Sequence, residues 1–488
     1  MHPLLLLFLI LIPFVSGIAI YLLRLKTHAA LSCAAMGVTV LTSALCWIAL
    51  LRGAEGTFEV IRFAPNLVLL LRLDGLGRFF VGIVSTLWPL TILYAHSYMA
   101  HEKHLRMFYG FFTAAYGATL GVALAGNLFT MYCFYELLTL TTVPLVIQPM
   151  TKEATRAART YFLFSIGGAA FAFAAMMFLI ANGASEPFTM GGVLGMHPYD
   201  NGNITYLFWL FGFVGFGVKA AIFPLHYWLP KASVAPTPVT ALLHAVAVVK
   251  AGAFAVIRLT YYCYGTAVMA GTWAQTVALL LAAFTIVYGS SVSVKETHFK
   301  RRLAYSTVAN LSYILFGAML MTPAGLAAAL LHMAAHACIK ILSFFCAGAV
   351  LHRTGRTSIF ALDGLGRRMP VTFGCFTLSA FALMGLPPFS GFVSKWYLLT
   401  AAAETGGIAY VGAGALLLSA LLTAIYMLTP VRRAWFPDRD ADLASLESVH
   451  EADSAMLVPM VLLAAGTLLC GVFAGPILSA AQTIASDL

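Results

Sequence analysis

Residues 326–350 read LAAALLHMAAHACIKILSFFCAGAV, a continuous apolar run broken by two histidines and one lysine. About 20 such residues span a hydrocarbon core as an α-helix. Runs of this kind recur along the whole chain. Barrel strands would instead alternate over about ten residues and keep a polar inner face. The chain is therefore expected to be all-α and polytopic. Composition agrees: of 488 residues, 28 are Lys or Arg and 18 are Asp or Glu, or 9% charged. A soluble domain carries about a quarter. Hydrophobic residues make up 61%, and the mean hydropathy is +0.91. So few charges cannot cover a globular surface, which excludes a soluble enzyme. Disorder, collagen and a disulfide scaffold fail on the same numbers.

Working outward from residues 326–350, we place about fourteen spans, at 3–23, 30–51, 75–96, 108–126, 127–149, 160–182, 205–228, 240–262, 272–294, 303–321, 326–350, 371–398, 408–430 and 456–481. No basic region precedes the first run, which reads as a spanning helix rather than a cleaved signal. No soluble domain or low-complexity tail is expected. The eight cysteines form no C-x-x-C pair and sit in apolar runs, as small hydrophobes.

The basic residues test this count. Loops after odd-numbered spans hold Arg24, Lys26, Lys103, Arg106, Lys152, Arg156, Arg159, Lys231, Lys295, Lys300, Arg301, Arg302, Arg353, Arg356, Arg367, Arg368, Arg432, Arg433 and Arg439. The opposite loops hold only Arg52, Arg62, Arg72 and Arg78. The split of 19 to 4 makes the first set cytoplasmic and puts both termini outside. The net charge of +10 is this asymmetry, and no nucleic-acid partner is needed to explain it.

Five basic residues remain within spans: Lys219, Lys250, Arg258, Lys340 and Lys395. Arg258 lies near a helix end and is expected to snorkel to the interface. Each lysine costs about 2.5–3.5 kcal/mol at a helix centre, so four of them must gain something specific. Glu136 is the one carboxylate well inside a span, and it cannot pair with all four. Burial disfavours a charged ammonium and a nearby carboxylate favours it. Moving a carboxylate toward or away from a lysine would then switch that lysine between holding and releasing a proton. Lysine suits such a role, whereas arginine stays charged. The bland reading is a static ion pair fixing helix packing.

His332, His336 and Lys340 are spaced i, i+4, i+8 on one helix face, a row of proton donors and acceptors. His244 and Lys250 share the eighth span but are six apart. His226 follows Lys219 by two turns. The competing reading of H-M-A-A-H is a metal site, but a zinc protease motif needs Glu where Met333 stands. No metal is expected. His96 reads as a packing residue. The seventh span runs GFVGFGVK over 212–219 and then meets Pro224 and Pro230; the twelfth runs MGLPPFSG over 384–391 before Lys395. Gly and Pro break membrane helices where protein or water satisfies the freed carbonyls. Breaks at matching places in two halves mark internally repeated transporters, with the site at the break. We therefore expect helices 1–3 in residues 1–107, inverted five-helix repeats in 108–262 and 272–430, and the last helix in 456–488.

These stretches closely resemble the antiporter-like subunits of respiratory complex I, Mrp-type cation/proton antiporters and membrane-bound hydrogenases. The resemblance rests on RLDGL at 72–76, Asn127-Leu128 through Glu136-Leu137, Lys219 through HYWLP at 226–230, and APTPV at 235–239 leading into LLHA at 242–245. It continues through HACIK at 336–340, GLPP at 385–388, Gly391-Phe392 and Lys395. The resemblance implies that Glu136 and Lys219 form a switching pair in the first half-channel. Lys250 would pass the proton on, His332, His336 and Lys340 would form the central axis, and Lys395 would serve the second half-channel. That last position is lysine in some subtypes of the family and glutamate in another, and either sign can carry a proton, so Lys395→Glu is expected to be tolerated. The family often carries an acidic residue where Lys231 stands. The long lateral helix of the largest complex I subunit is not expected.

The sequence holds no cysteine cluster for iron–sulfur, no G-x-G-x-x-G on a βαβ unit and no P-loop, so no cofactor or redox site of its own is expected. The main expectation is a proton-translocating component, surrounded by other membrane subunits and driven by a partner redox module. A Na⁺/H⁺ antiporter component of the Mrp type is the alternative. A stand-alone small-solute transporter and a non-conducting scaffold are the rivals from other classes.

Overall fold

In an apolar solvent every backbone N–H and C=O must find an internal partner, and helices provide one within each segment. The computed structural model describes residues 3–23, 25, 27–53, 56–183, 187–194, 202–438 and 444–486; Arg24, Lys26 and Arg439 of the loop census lie outside the described residues. The first six helices are α1 (Leu4–Leu22), α2 (His28–Leu51), α3 (Gly75–Tyr98), α4 (Leu105–Ala123), α5 (Leu128–Ile147) and α6 (Lys152–Ala181). The middle of the chain forms α7 (Gly202–Gly217), α8 (Trp228–Ala232), α9 (Thr237–Ala245), α10 (Val248–Ile257) and α11 (Thr266–Met269), with a π-helical turn at Arg258–Tyr264. Then come α12 (Trp273–Lys295), α13 (Phe299–Met319), α14 (Pro323–Thr354), α15 (Leu365–Arg368), α16 (Pro370–Met384) and α17 (Ser390–Thr405). The chain closes with α18 (Ala409–Trp435), α19 (Ser454–Val472) and α20 (Gly475–Ala485).

Among the described residues, ten helical segments are long and apolar enough to cross a membrane, and α7 and α16 are shorter apolar helices. Leu22, Leu51, Leu163, Phe284, Leu421 and Leu469 stand exposed on the outer helix faces, as suits a surface solvated by acyl chains. The protein is thus an all-α polytopic membrane protein. Fourteen crossings would follow if α4, α13, α7–α8 and α16–α17 also cross. That count belongs to the proposal below.

Local chemistry sets the helix starts. Asp74 Oδ1 accepts from Gly77 N at 2.9 Å to cap α3, and Asn127 Oδ1 accepts from Thr130 N at 2.8 Å to cap α5. Thr322 caps α14, with Pro323 in its first turn. A hairpin stands where the sequence suggests only a loop: β1 (Thr57–Ala64) pairs antiparallel with β2 (Leu67–Arg72), from Thr57↔Arg72 to Ala64↔Leu67. Asn127 Nδ2 donates to Val68 O at 2.9 Å and ties it to the α4–α5 corner. Of the eight free cysteines, Cys33 is exposed, against the buried reading.

The seventh and twelfth spans are interrupted where the sequence expects. Gly212 and Gly215 do not make the first break; they lie inside α7, where a Cβ on Gly215 would come within 2.5 Å of Ala172 N on α6. The helix stops after Gly217. Tyr135 Oη then donates to Phe216 O at 3.1 Å and Trp228 Nε1 to Val218 O at 2.8 Å, satisfying freed carbonyls. α16 ends at Gly385 with φ +91°, a left-handed conformation that glycine adopts without steric cost. Two further interruptions have no counterpart in the sequence reading. The eighth span divides into α9 and α10 at Val246–Ala247, and the last into α19 and α20.

Candidate functional site

Seven basic side chains are buried among the described residues, and no carboxylate is: Lys219, Lys250, Arg258, Lys300, Arg302, Lys340 and Lys395. Two of the seven, Lys300 and Arg302, correct the loop assignment that the hydropathy pattern suggests. α13 begins at Phe299, four residues earlier than the apolar run implies, and carries both inward in its first turn. The signal for this is the KRR triplet at 300–302 directly before a helix, with Ser306 and Thr307 two turns on. Arg302 donates to Glu296 O, Val294 O and Tyr426 O at 2.7–2.8 Å and so closes the C-terminus of α12.

Arg258 does not snorkel. It is wholly buried, with a two-point contact to Asp74 at 2.5 and 2.6 Å and the rings of Phe188, Phe254 and Tyr262 around its guanidinium. Its position at the junction of α10 and the π-helical turn faces the N-cap of α3 rather than the lipid edge. It is a structural clamp.

Lys219 sits in the turn just after α7. Its Nζ lies 3.8 Å from Glu136 Oε1 on α5, donates to Tyr135 O, and stands 3.4 Å from the Tyr135 ring centroid. The ammonium is buried while the Glu136 side chain is 26% exposed, so the carboxylate has room that the lysine lacks. The Lys219 backbone packs on Gly252, two residues past Lys250. A Cβ there would come within 2.5 Å of Ala220 N and 2.9 Å of Lys219 Cβ. Gly252→Ala is therefore expected to push Lys219 off Glu136 and reduce proton transport by about tenfold or more in complexes that still assemble, measured by pH-dye uptake in proteoliposomes.

The central row is brought together across three helices. Lys250 Nζ on α10 is 2.6 Å from His336 Nδ1 on α14. The His332 and His336 rings are 5.9 Å apart, and His332 Nδ1 is 3.0 Å from Ser394 Oγ, the residue before Lys395. Lys340 Nζ donates to Leu303 O at 3.1 Å and also contacts Ser306 Oγ on α13. Tyr313 faces His332 at 5.1 Å and Lys395 Nζ at 5.4 Å. Sequence reasoning names neither Ser394, Ser306 nor Tyr313, because nothing in a single helix's pattern identifies its neighbour across the bundle.

Lys395 Nζ donates to Leu383 O at 2.6 Å and Met384 O at 3.2 Å, the last carbonyls of α16. A cation there matches the negative end of the helix dipole. This contact revises the expectation for Lys395→Glu: a carboxylate would face two carbonyls and the same dipole end. The substitution should cut proton transport about tenfold or more, whereas Lys395→Arg should keep the carbonyl contacts and assembly; a transport assay alongside native-gel assembly checks both.

Two secondary histidines are not joined to the row by direct hydrogen bonds. His244 is buried with neither ring nitrogen bonded, its ring 4.9 Å from Phe344. His226 packs against Phe223 and Tyr288, and its Nδ1 finds no partner. His96 bonds Ser32 Oγ at 3.0 Å, as a packing histidine should.

Broken helices and a buried string of titratable side chains define a membrane subunit of the ion-translocating kind. The family described as NADH:quinone oxidoreductase/Mrp antiporter, TM, matches residues 125–423, and the chain belongs to that family. It is 31% identical over 482 residues to NADH-quinone oxidoreductase subunit N of Desulforudis audaxviator, covering 96% of this chain and 92% of the relative. It is also 31% identical over 413 residues to a probable K(+)/H(+) antiporter component of Rhizobium meliloti, covering 82% of this chain but 40% of that one. Among solved structures, a chain of the membrane-bound sulfane sulfur reductase, an archaeal respiratory membrane complex, superposes with a TM-score of 0.87 at 23% identity. The superposition covers 99% of this chain and 97% of that one, a likeness of fold.

Proposed function

We propose that the chain is a proton-translocating subunit of a larger membrane complex, driven by a redox reaction in partner subunits. Protons move from the Glu136–Lys219 pair through Lys250 to His336, His332 and Lys340, and on to Lys395. The observation that carries this reading is the 2.6 Å contact of Lys250 with His336. It links the span beside the first break to the histidine row that leads to the second. Water carries the proton where side chains stand farther apart than a hydrogen bond. Fourteen crossings in two inverted repeats, over residues 108–262 and 272–430, put Lys219 and Lys395 at equivalent breaks. The basic loops face the cytoplasm of a plasma or inner membrane, with both termini outside.

The second reading, a Na⁺/H⁺ exchanging component of an Mrp-type assembly, is favoured by the antiporter relative at 31% identity. One experiment separates the two. The complex is isolated through a tag on this chain and sealed in liposomes, and internal pH is followed. Proton movement on adding an electron donor and acceptor, with no sodium gradient, supports the first reading. Movement driven by a sodium gradient alone supports the second.

A further inference from the structure

We infer that Lys300 opens a second proton entry from the basic-loop side, running Glu102, Lys300, His244, Lys340, which feeds the central row without passing Glu136 and Lys219. The inference rests on the proton-relay reading above and adds a route to it.

Lys300 lies in the first turn of α13, 5% exposed, and its Nζ donates to Ala235 O at 2.7 Å. No ion pair among the described residues reaches it, so its charge is not locked in place by a carboxylate contact. Its acidic neighbour is Glu102, an exposed residue in the turn between α3 and α4 on the same side. A surface carboxylate of that kind collects protons from bulk water and passes them to a buried amine.

Inward from Lys300 stands His244, at the end of α9. Its ring is wholly buried, both nitrogens lack hydrogen bonds, and Lys340 and Lys300 are the two charged groups in its neighbourhood. A buried imidazole with two free nitrogens is costly unless water or a transient donor uses them. A ring set between two amines can accept a proton on one nitrogen and give it up from the other. Lys340 completes the line. It bonds Leu303 O and Ser306 on α13, one and two turns along from Lys300 on the same helix, so both lysines are held by one rigid element. In each step an ammonium gives its proton to the next base and is left a neutral amine, which the group behind it recharges.

The rival role for Lys300 is a static one, holding the Ala235 carbonyl before α9. Arginine separates the two, because it keeps the charge and the donor but does not release a proton. In the intact complex in liposomes, Lys300→Arg, Lys300→Met and His244→Phe should each assemble and each lose about tenfold or more of wild-type proton transport. Combining Lys300→Arg with His244→Phe should cost no more than either change alone, since the steps lie in series. Full transport in assembled Lys300→Arg or His244→Phe overturns the route. Should Lys300 variants fail to assemble, His244→Phe and Glu102→Gln carry the test, and full transport in both overturns it equally. Lys219→Ala serves as the control for the underlying reading. If it loses transport while Lys300→Arg does not, only the second entry fails; if neither loses transport, the relay fails with it.

Discussion

Lys219→Ala and Glu136→Ala are each expected to remove at least about 99% of proton transport while the complex still assembles. The two groups lie 3.8 Å apart. At an effective dielectric near 20, a unit charge pair at that distance interacts by roughly 4 kcal/mol. Swinging Glu136 away therefore changes the energy of the charged lysine enough to switch it between holding a proton and releasing it. The surroundings permit the swing, since Glu136 is the partly exposed member while Lys219 is fixed by the Tyr135 carbonyl and ring. Glu136→Gln keeps the shape and removes the switch, and it should behave like the alanine. Lys219→Arg keeps a charge that cannot leave and should also stop transport. Proton uptake by reconstituted complexes, set against the amount assembled, reads all four.

The second large effect concerns folding rather than transport. Asp74→Asn or Asp74→Ala leaves the Arg258 guanidinium buried with its carboxylate removed, a change that costs about 3–5 kcal/mol when one partner of a buried pair is lost. The cost is sharpened by the second duty of Asp74, whose Oδ1 also caps α3. Assembled complex should fall steeply, and the melting temperature of what remains should drop. Replacing both, as Asp74→Asn with Arg258→Met, should be milder than Asp74→Asn alone, because no charge is then stranded. Transport per assembled complex should be unchanged, since neither residue belongs to the relay. A loss of transport in stable complexes would place the pair in the mechanism instead.

The contrast between these two pairs marks what a sequence can disclose. Glu136 and Lys219 stand out because charge within an apolar run is costly and rare, and the breaks beside Lys219 and Lys395 show as Gly and Pro at membrane depth. Arg258 reads as an interfacial residue because its partner lies 184 positions away, and pairing at that distance leaves no periodic trace. Lys300 reads as a loop residue for a related reason: a hydropathy boundary falls where charge begins, not where the helix does. The division of the eighth span at Val246–Ala247 has neither Gly nor Pro to announce it. The carbonyl contacts of Lys395 depend on how α16 ends against α17, which sequence spacing does not encode.

The most direct test of the account lies at Lys250, where the first half of the chain meets the histidine row through His336. Lys250→Met keeps an unbranched side chain of similar length and removes the proton. The measurement is the number of protons moved per turnover of the driving reaction, in liposomes, for wild type and for Lys250→Met at equal assembly. The account expects that ratio to fall in the variant, because protons entering at Glu136 and Lys219 can no longer reach His336. An unchanged ratio in a fully assembled variant would contradict the account and remove the central row from the path.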